Sequence, residues 1–164
     1  MSRDPRPLRA GVAAVDVSPP PGVPLAGYPH FPRPNTGVHD PLIASCLVLD
    51  DGITRIALVC HDQLMLSRRY VQSIRKRAEA KTGIAADHIL ISCSHTHSSP
   101  WGSDWFELNE SGECVHPDAA YIASLEDKLT DLIVKAAGNM FDARLAVDKG
   151  QCGKESGVGG NRHS

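Results

Sequence analysis

A helical repeat between two apolar runs constrains the fold of this chain more than any other feature of its sequence. Residues 54–60 (TRIALVC) and 88–93 (HILISC) have the length and apolar content of buried strands. Between them, apolar residues recur at helical spacing opposite a face of arginines and lysines, and Gly83 ends the pattern. A strand–helix–strand unit of this length predicts two parallel strands joined by a right-handed crossover.

Two further apolar runs extend the predicted sheet. Residues 9–17 and 42–50 are both strand-like, and Asp50-Asp51-Gly52 connects the second of them to residues 54–60. A short connection that contains Asp-Gly favours a hairpin, so we expect these two strands to pair antiparallel.

A second amphipathic helix follows, with Pro117 in its first turn and Gly138 as its stop. Residues 143–150 (ARLAVDKG) are then predicted as a last strand. These elements together predict an α/β fold: a mixed sheet of at least four strands with a βαβ crossover and two main helices.

A proline-rich segment separates the first two strands. Seven prolines lie between Ser18 and Pro41, together with aromatic residues and two histidines, His30 and His39. Proline removes a backbone donor and restricts φ, so the segment is predicted as a loop. Long loops inside compact domains are often functional, although we expect both histidines to be surface groups.

Composition excludes several classes of protein. The chain has 164 residues and a formal net charge of −2, which suits one compact domain. No basic stripe is present, so we expect no nucleic-acid partner. No apolar stretch approaches the roughly 20 residues of a transmembrane helix. The charged N-terminus is not followed by an apolar segment, so we expect no secretory signal and a cytoplasmic domain.

Two histidines directly follow the apolar run 88–93. In an extended backbone, side chains at i and i+2 point the same way, so His95 and His97 can direct both rings to one point. The predicted parallel pairing also brings His61-Asp62 to the same sheet edge. Two imidazoles and a carboxylate indicate a catalytic metal site, for which zinc is the commonest metal. The alternative is a loop whose histidines are simply solvated or hydrogen-bonded.

Several motifs occur in an order that is similar to one enzyme family, over nearly the whole chain. The segments are GVAAVDVSP (11–19), LAGY (25–28), TGVH (36–39), Asp62, SHTHSSP (94–100) and Asn161-Arg162. They resemble the N-terminal part of the neutral/alkaline, non-lysosomal ceramidases, which are zinc amidases that split ceramide into sphingosine and fatty acid. HTHS-x-P after a buried strand is the most specific of these motifs.

The resemblance implies roles for three residues. His95 matches the family's zinc (Zn²⁺) ligand, and His97 matches a second active-site histidine that transfers a proton or binds the transition state. Arg162 matches an arginine that holds a polar group of the substrate or the developing oxyanion. The implied substrate is N-acylsphingosine or a related N-acyl amide. Family members are often secreted or membrane-associated.

This chain departs from the family pattern in two respects. Ser99 stands where the family usually has glycine, which bears on the shape of the substrate entrance. The family's chains are also much longer, and their other zinc ligands (a histidine, a glutamate and a tyrosine) and their serine nucleophile match positions beyond Ser164. Residues 1–164 are therefore expected to be the N-terminal part of a ceramidase-like zinc hydrolase domain, inactive alone. Its expected partner is the rest of the enzyme or a second copy.

Two other interpretations remain open. One is a non-catalytic domain that retains the fold and binds a partner. The other is an unrelated metallohydrolase with an HxH motif. An amidohydrolase barrel carries its HxH on the first strand and needs roughly 200 residues or more, whereas here the motif lies in the middle of a shorter chain.

Overall fold

The computed structural model describes residues 7–28, 33–103 and 116–150. It contains a five-stranded mixed sheet and two helices, so the predicted α/β class is confirmed. The strands are β1 (Arg9–Asp16), β2 (Ile43–Asp50), β3 (Arg55–His61), β4 (Ile89–Cys93) and β5 (Met140–Asp142). The helices are α1 (Arg68–Thr82) and α2 (Ala119–Gly138), and a short 3₁₀ turn spans Ala86–His88.

The strand order in the sheet is β4-β3-β2-β1-β5. β2 and β3 form the predicted antiparallel hairpin, and β1 pairs antiparallel with β2 and with β5. β3 and β4 pair in parallel across α1, as the strand–helix–strand pattern predicts. The ends of β1, β3 and β4 therefore meet the start of β2 at one edge of the sheet.

The prediction of a last strand at 143–150 is wrong. The strand is β5, which follows α2 after one residue and pairs with the first three residues of β1. Ala143 N–H donates to the Leu8 carbonyl at 2.9 Å, and the chain then passes beyond the start of β1. Residues 143–150 have no regular structure because no strand lies beside them in the part of the chain that the structure describes.

The predicted end of α1 is confirmed, and the start of α2 differs from the prediction. α1 ends as predicted, with Gly83 in the left-handed conformation at φ 72°. α2 begins at Ala119, two residues after Pro117, because the Asp118 carboxylate accepts a hydrogen bond from the Tyr121 N–H at 2.7 Å. This bond satisfies one of the amide groups that a helix N-terminus leaves unpaired.

Both helices contribute to one core. α2 packs across β1 and β2, and α1 packs beside α2. The predicted apolar stripe of α2 is buried throughout. Fully buried core side chains from the strands and helices include Val48, Val59, Ile74, Ile89, Leu125, Leu129 and Ile133. Neither described helix is both long and apolar enough to span a membrane.

Candidate functional site

The paired histidines lie at the sheet edge where β3 and β4 end. His95 follows the end of β4 after one residue, and His97 comes two residues later. Both lie in a loop that packs against the segment after β3. The Ser94 N–H donates to the His61 carbonyl, and the His95 N–H donates to the Gln63 carbonyl, both at 3.0 Å. These bonds continue the parallel pairing past the last residue of β4 and hold the histidine loop against the end of β3.

The sequence predicted an extended backbone at His95, and this prediction is wrong. The residue is in the left-handed conformation with φ 61°. This turn brings the ring over the segment after β3, where His95 Nδ1 lies 2.9 Å from the Leu64 carbonyl oxygen. A carbonyl only accepts hydrogen bonds, so Nδ1 carries the proton and Nε2 keeps its lone pair in the neutral ring. Metal-binding histidines are commonly oriented by such a bond from the other ring nitrogen.

The His97 ring lies next to that of His95 despite the unexpected backbone. The two ring centroids are 5.3 Å apart with an interplanar angle of 82°, and both side chains are exposed. The His97 ring also makes an edge-to-face contact with the Tyr28 ring, at 5.7 Å between centroids. The structure therefore brings the two predicted histidines together, in edge-to-face contact.

Gly27 provides the space for the His97 ring. Its φ is +96°, and a Cβ atom at this position would lie 2.6 Å from His97 Cγ. The neighbouring residues link the proline-rich loop to the histidine loop, since the Ala26 N–H donates to the Ser99 carbonyl at 2.8 Å and Leu25 bridges to Pro100. The proline-rich loop is thus part of the candidate site.

The side chain of Ser99 faces inward. It is fully buried, and its Oγ accepts a hydrogen bond from the Leu64 N–H at 2.9 Å. This bond ties the histidine loop to the same Leu64 whose carbonyl orients His95. Ser99 therefore fixes the histidine loop to the buried segment at Leu64, and its hydroxyl does not line the exposed surface around the histidines.

The carboxylate of Asp62, which was expected beside the histidines, instead joins two strand ends. Asp62 Oδ2 accepts from the Ile43 N–H at 3.0 Å, and the Asp62 N–H donates to the Ile43 carbonyl at the same distance, so the residue joins the ends of β3 and β2. Across residues 7–28, 33–103 and 116–150, no group of three or more histidine, cysteine, aspartate or glutamate side chains could hold a metal ion. The predicted site of two imidazoles and a carboxylate is not formed there.

One further histidine of the sequence motifs, His39, lies among the described residues. His39 is exposed, with its Nδ1 2.9 Å from an Asp40 carboxylate oxygen, which agrees with the expected surface position. His30 and Arg162 lie outside the described residues.

A buried polar layer lies beneath the histidine loop. His61 and Gln63 are almost completely buried, and His61 Nε2 lies 3.4 Å from Cys93 Sγ. Burial lowers the pKa of His61 to about 4, although the Asp62 charge acts in the opposite direction. Burial also raises the pKa of the Cys93 thiol to about 11, with a further contribution from Cys60. Both partners are uncharged at neutral pH, so the pair is not a thiolate–imidazolium nucleophile.

Sequence reasoning missed one residue beside the histidines, Arg33. Its guanidinium carbon lies 4.4 Å from the centroid of the Tyr28 ring, and its Nη1 donates to the His97 carbonyl at 2.9 Å. The only sequence signal for this contact is the presence of aromatic residues in the proline-rich loop.

Comparisons with known proteins agree with the resemblance shown by the motifs. No protein-family model matches the chain. It is 30% identical over 98 residues to neutral ceramidases of Drosophila pseudoobscura pseudoobscura and Drosophila melanogaster, an alignment that covers 57% of this chain and 14% of each relative. The chain therefore spans about one seventh of the length of these curated relatives.

Two solved structures share the fold. A crystal structure of neutral ceramidase from Pseudomonas aeruginosa superposes with a TM-score of 0.70 at 20% identity, over 85% of this chain and 23% of that one. A structure described as ceramidase complexed with C2 gives a TM-score of 0.58 at 20% identity, over 83% of this chain and 22% of that one. The resemblance of this chain to part of the neutral ceramidases is confirmed.

Proposed function

We propose that this chain carries part of the active site of a ceramidase-like, zinc-dependent amide hydrolase that acts on N-acylsphingosine or a related N-acyl amide. Residues 1–164 would form the N-terminal part of the hydrolase domain. The observation that carries the proposal is the orientation of His95 by the Leu64 carbonyl, beside the His97 ring. The similarity to neutral ceramidases supports it.

The fit of the site to zinc rests on His95. Its Nδ1 is committed to Leu64, so Nε2 is the nitrogen that would hold the metal, and this suits a neutral imidazole ligand. A catalytic zinc normally has three protein ligands, and the described residues offer no cluster of that size. The resemblance assigns the other ligands, a histidine, a glutamate and a tyrosine, to polypeptide that follows the matched segment in the family.

The proposed chemistry is hydrolysis of an amide. When bound, zinc would lower the pKa of a water molecule toward neutrality and polarise the amide carbonyl. His97, whose exposed ring contacts that of His95, would transfer a proton or bind the transition state. Arg162 would hold a polar group of the substrate or the developing oxyanion.

Hydrolysis of a fluorogenic N-acyl amide and of a short-chain ceramide tests this proposal. We expect little or no turnover by residues 1–164 alone, because one ligand does not retain a catalytic metal. Turnover is expected when the chain is assayed joined to the polypeptide that would follow it in the relatives. Robust zinc-dependent turnover by the 164-residue chain alone would show that the site is not partial.

Elemental analysis of the joined protein tests the role of His95. We expect His95→Ala to lose the bound zinc and His39→Ala to retain it, because His39 is an exposed histidine whose Nδ1 lies beside the Asp40 carboxylate. Equal zinc content in His95→Ala and the unsubstituted protein would contradict the assignment.

A non-catalytic binding domain is the second candidate. The observation that favours it is the lack of a complete cluster of metal ligands among the described residues. If the joined protein binds zinc through His95 yet hydrolyses neither substrate, the binding domain becomes the better interpretation. No observation on the described residues favours an unrelated HxH metallohydrolase.

A further inference from the structure

A closed set of three contacts joins His97, Tyr28 and Arg33. The Arg33 guanidinium lies over the Tyr28 ring, with its central carbon 4.4 Å from the ring centroid. The Tyr28 ring meets the His97 ring edge-on at 5.7 Å. Arg33 Nη1 then donates to the His97 carbonyl at 2.9 Å. One arginine–tyrosine pair therefore holds both the ring and the backbone of the same histidine.

The backbone around this set is also held. The Leu25 N–H donates to the Arg33 carbonyl at 2.8 Å, which joins the two arms of the proline-rich loop. The bond from Ala26 to Ser99 then joins this loop to the histidine loop. Tyr28 and Arg33 thus contact His97 from a loop whose backbone is hydrogen-bonded both to itself and to the histidine loop.

We propose that Arg33 and Tyr28 are positioning residues that set the orientation of the His97 imidazole beside His95. The inference rests on the proposed function for its catalytic consequence, although not for its geometry. His97 is exposed, so its ring would otherwise sample several rotamers. The contact with the Tyr28 ring restricts this freedom on one side, and the absence of a side chain at Gly27 lets the His97 ring lie close to the backbone there.

Arginine suits this position for a physical reason. A guanidinium group can stack on an aromatic face while its N–H groups donate within its own plane. Arg33 uses both properties at once, the first toward Tyr28 and the second toward His97. An ammonium group or an amide would supply one of these interactions and not the other in the same geometry.

The chain contains a matched control for this pair. Arg69 lies over the ring of Tyr70 at 4.5 Å on α1, and its Nη2 donates to the Tyr70 hydroxyl. This stack has nearly the same distance as the Arg33–Tyr28 stack, but it is formed between adjacent residues of a helix and includes no histidine. Arg69→Ala therefore removes an arginine–tyrosine stack without touching the contacts of His97.

Solution NMR of the 164-residue chain, with labelled histidine and tyrosine, provides the test. Arg33→Ala is expected to lose the nuclear Overhauser contact between the rings of Tyr28 and His97, and to shift the His97 ring resonances. Tyr28→Leu is expected to lose the contact between His97 and His95, whereas Tyr28→Phe, which keeps the ring, retains it. Arg69→Ala is expected to change none of these signals.

Retention of the Tyr28–His97 and His97–His95 contacts in Arg33→Ala would overturn the proposal, whatever the melting temperature of the variant. If Arg33→Ala does not fold, the comparison of Tyr28→Leu with Tyr28→Phe decides the question, and equal His97 signals in both would refute it. These readouts do not depend on catalysis.

In the joined enzyme, Arg33→Ala is expected to lower kcat about 10- to 100-fold with little change in KM, since His97 would be misplaced rather than lost. An unchanged kcat despite the lost NMR contacts would overturn the catalytic part of the inference. If the unsubstituted enzyme has no activity at all, the proposed function fails, while the NMR result still decides whether Arg33 and Tyr28 position His97.

Discussion

The imidazole of His61 lies on the core face of β3, where it is 1% exposed and carries no charge at neutral pH. Burial lowers its pKa to about 4, against about 6.5 in the unfolded chain. Between these two values the unfolded state binds more protons than the folded state. The free energy of unfolding therefore falls as the pH falls from 6.5 toward 4.

We expect this titration to remove about 3 kcal/mol of stability by pH 4. Urea unfolding at pH 7, 5 and 4 measures it, with His61→Leu as the variant that lacks the buried imidazole. The loss between pH 7 and 4 should be smaller in His61→Leu by about that amount. His88→Gln, which removes an exposed histidine, serves as the control. Identical pH dependence in His61→Leu and the unsubstituted chain would refute the assignment.

At the scale of residues, the sequence predicts the identity of the histidine pair but not its geometry. The spacing of His95 and His97 and the apolar run before them are local, so both could be found without a structure. The left-handed backbone at His95 and the bond to Leu64 depend on a segment about 30 residues earlier. The position of Arg33 likewise depends on contact between two loops, which no local pattern indicates.

At the scale of elements, the local patterns succeed where neighbours in sequence are neighbours in space. The hairpin of β2 and β3 has a short turn, and β3 and β4 are joined by a single helix of the length that a parallel crossover needs, so the antiparallel and the parallel pairing are both confirmed. The last strand fails because an apolar segment becomes a strand only where a partner offers hydrogen bonds. The first residues of β1 pair with Met140–Asp142. In this antiparallel register, residues 143–150 would have to pair with residues that precede Arg9, where β1 begins.

The junction of the proline-rich loop and the histidine loop can be tested at Gly27. Gly27→Ala places a methyl group 2.6 Å from His97 Cγ on a backbone with φ +96°. Gly22→Ala is the matched control, since Gly22 has φ +92° and no atom of the described residues lies within 4 Å of the added methyl group. Backbone strain should cost each variant about 1–3 kcal/mol in the free energy of unfolding.

Only Gly27→Ala should lose additional stability and move the His97 ring, because only there does the new methyl group overlap a neighbour. Urea unfolding and the NMR signals of His97 measure the two effects. Equal stability losses with unchanged His97 signals in both variants would show that the loop junction does not hold the ring.

At the scale of the molecule, one face of the sheet remains open in the part of the chain that the structure describes. α1 and α2 contribute to the core on the other face. The registers of four strands align apolar residues on the open face in a row, Val12, Leu47, Leu58 and Leu90. A second row runs beside it through Phe141, Leu49 and Ile56, and Ala10, which is aligned with them, is buried. Val12 is 53% exposed and Leu90 is 55% exposed in the first row, and Phe141 is 49% exposed in the second, so both rows reach solvent.

A contiguous apolar surface of this kind favours association. We therefore expect the isolated 164-residue chain to self-associate through the open face as its concentration rises. This surface lies within the residues that the structure describes, so it can be tested directly. Leu90→Lys introduces a charge into the first row on the edge strand β4, where lysine is well tolerated and opposes pairing.

Light scattering over a range of concentrations measures the effect. Leu90→Lys is expected to shift the chain toward the monomer, because burying an unpaired ammonium group in an apolar interface is costly. Ile53→Lys is the matched control, since Ile53 is 63% exposed but lies in the hairpin turn between β2 and β3 and belongs to neither row. A monomer at every concentration, or equal association in the two variants, would show that the open face does not drive self-association. Association that disappears in Leu90→Lys and persists in Ile53→Lys would identify the open face as the contact surface.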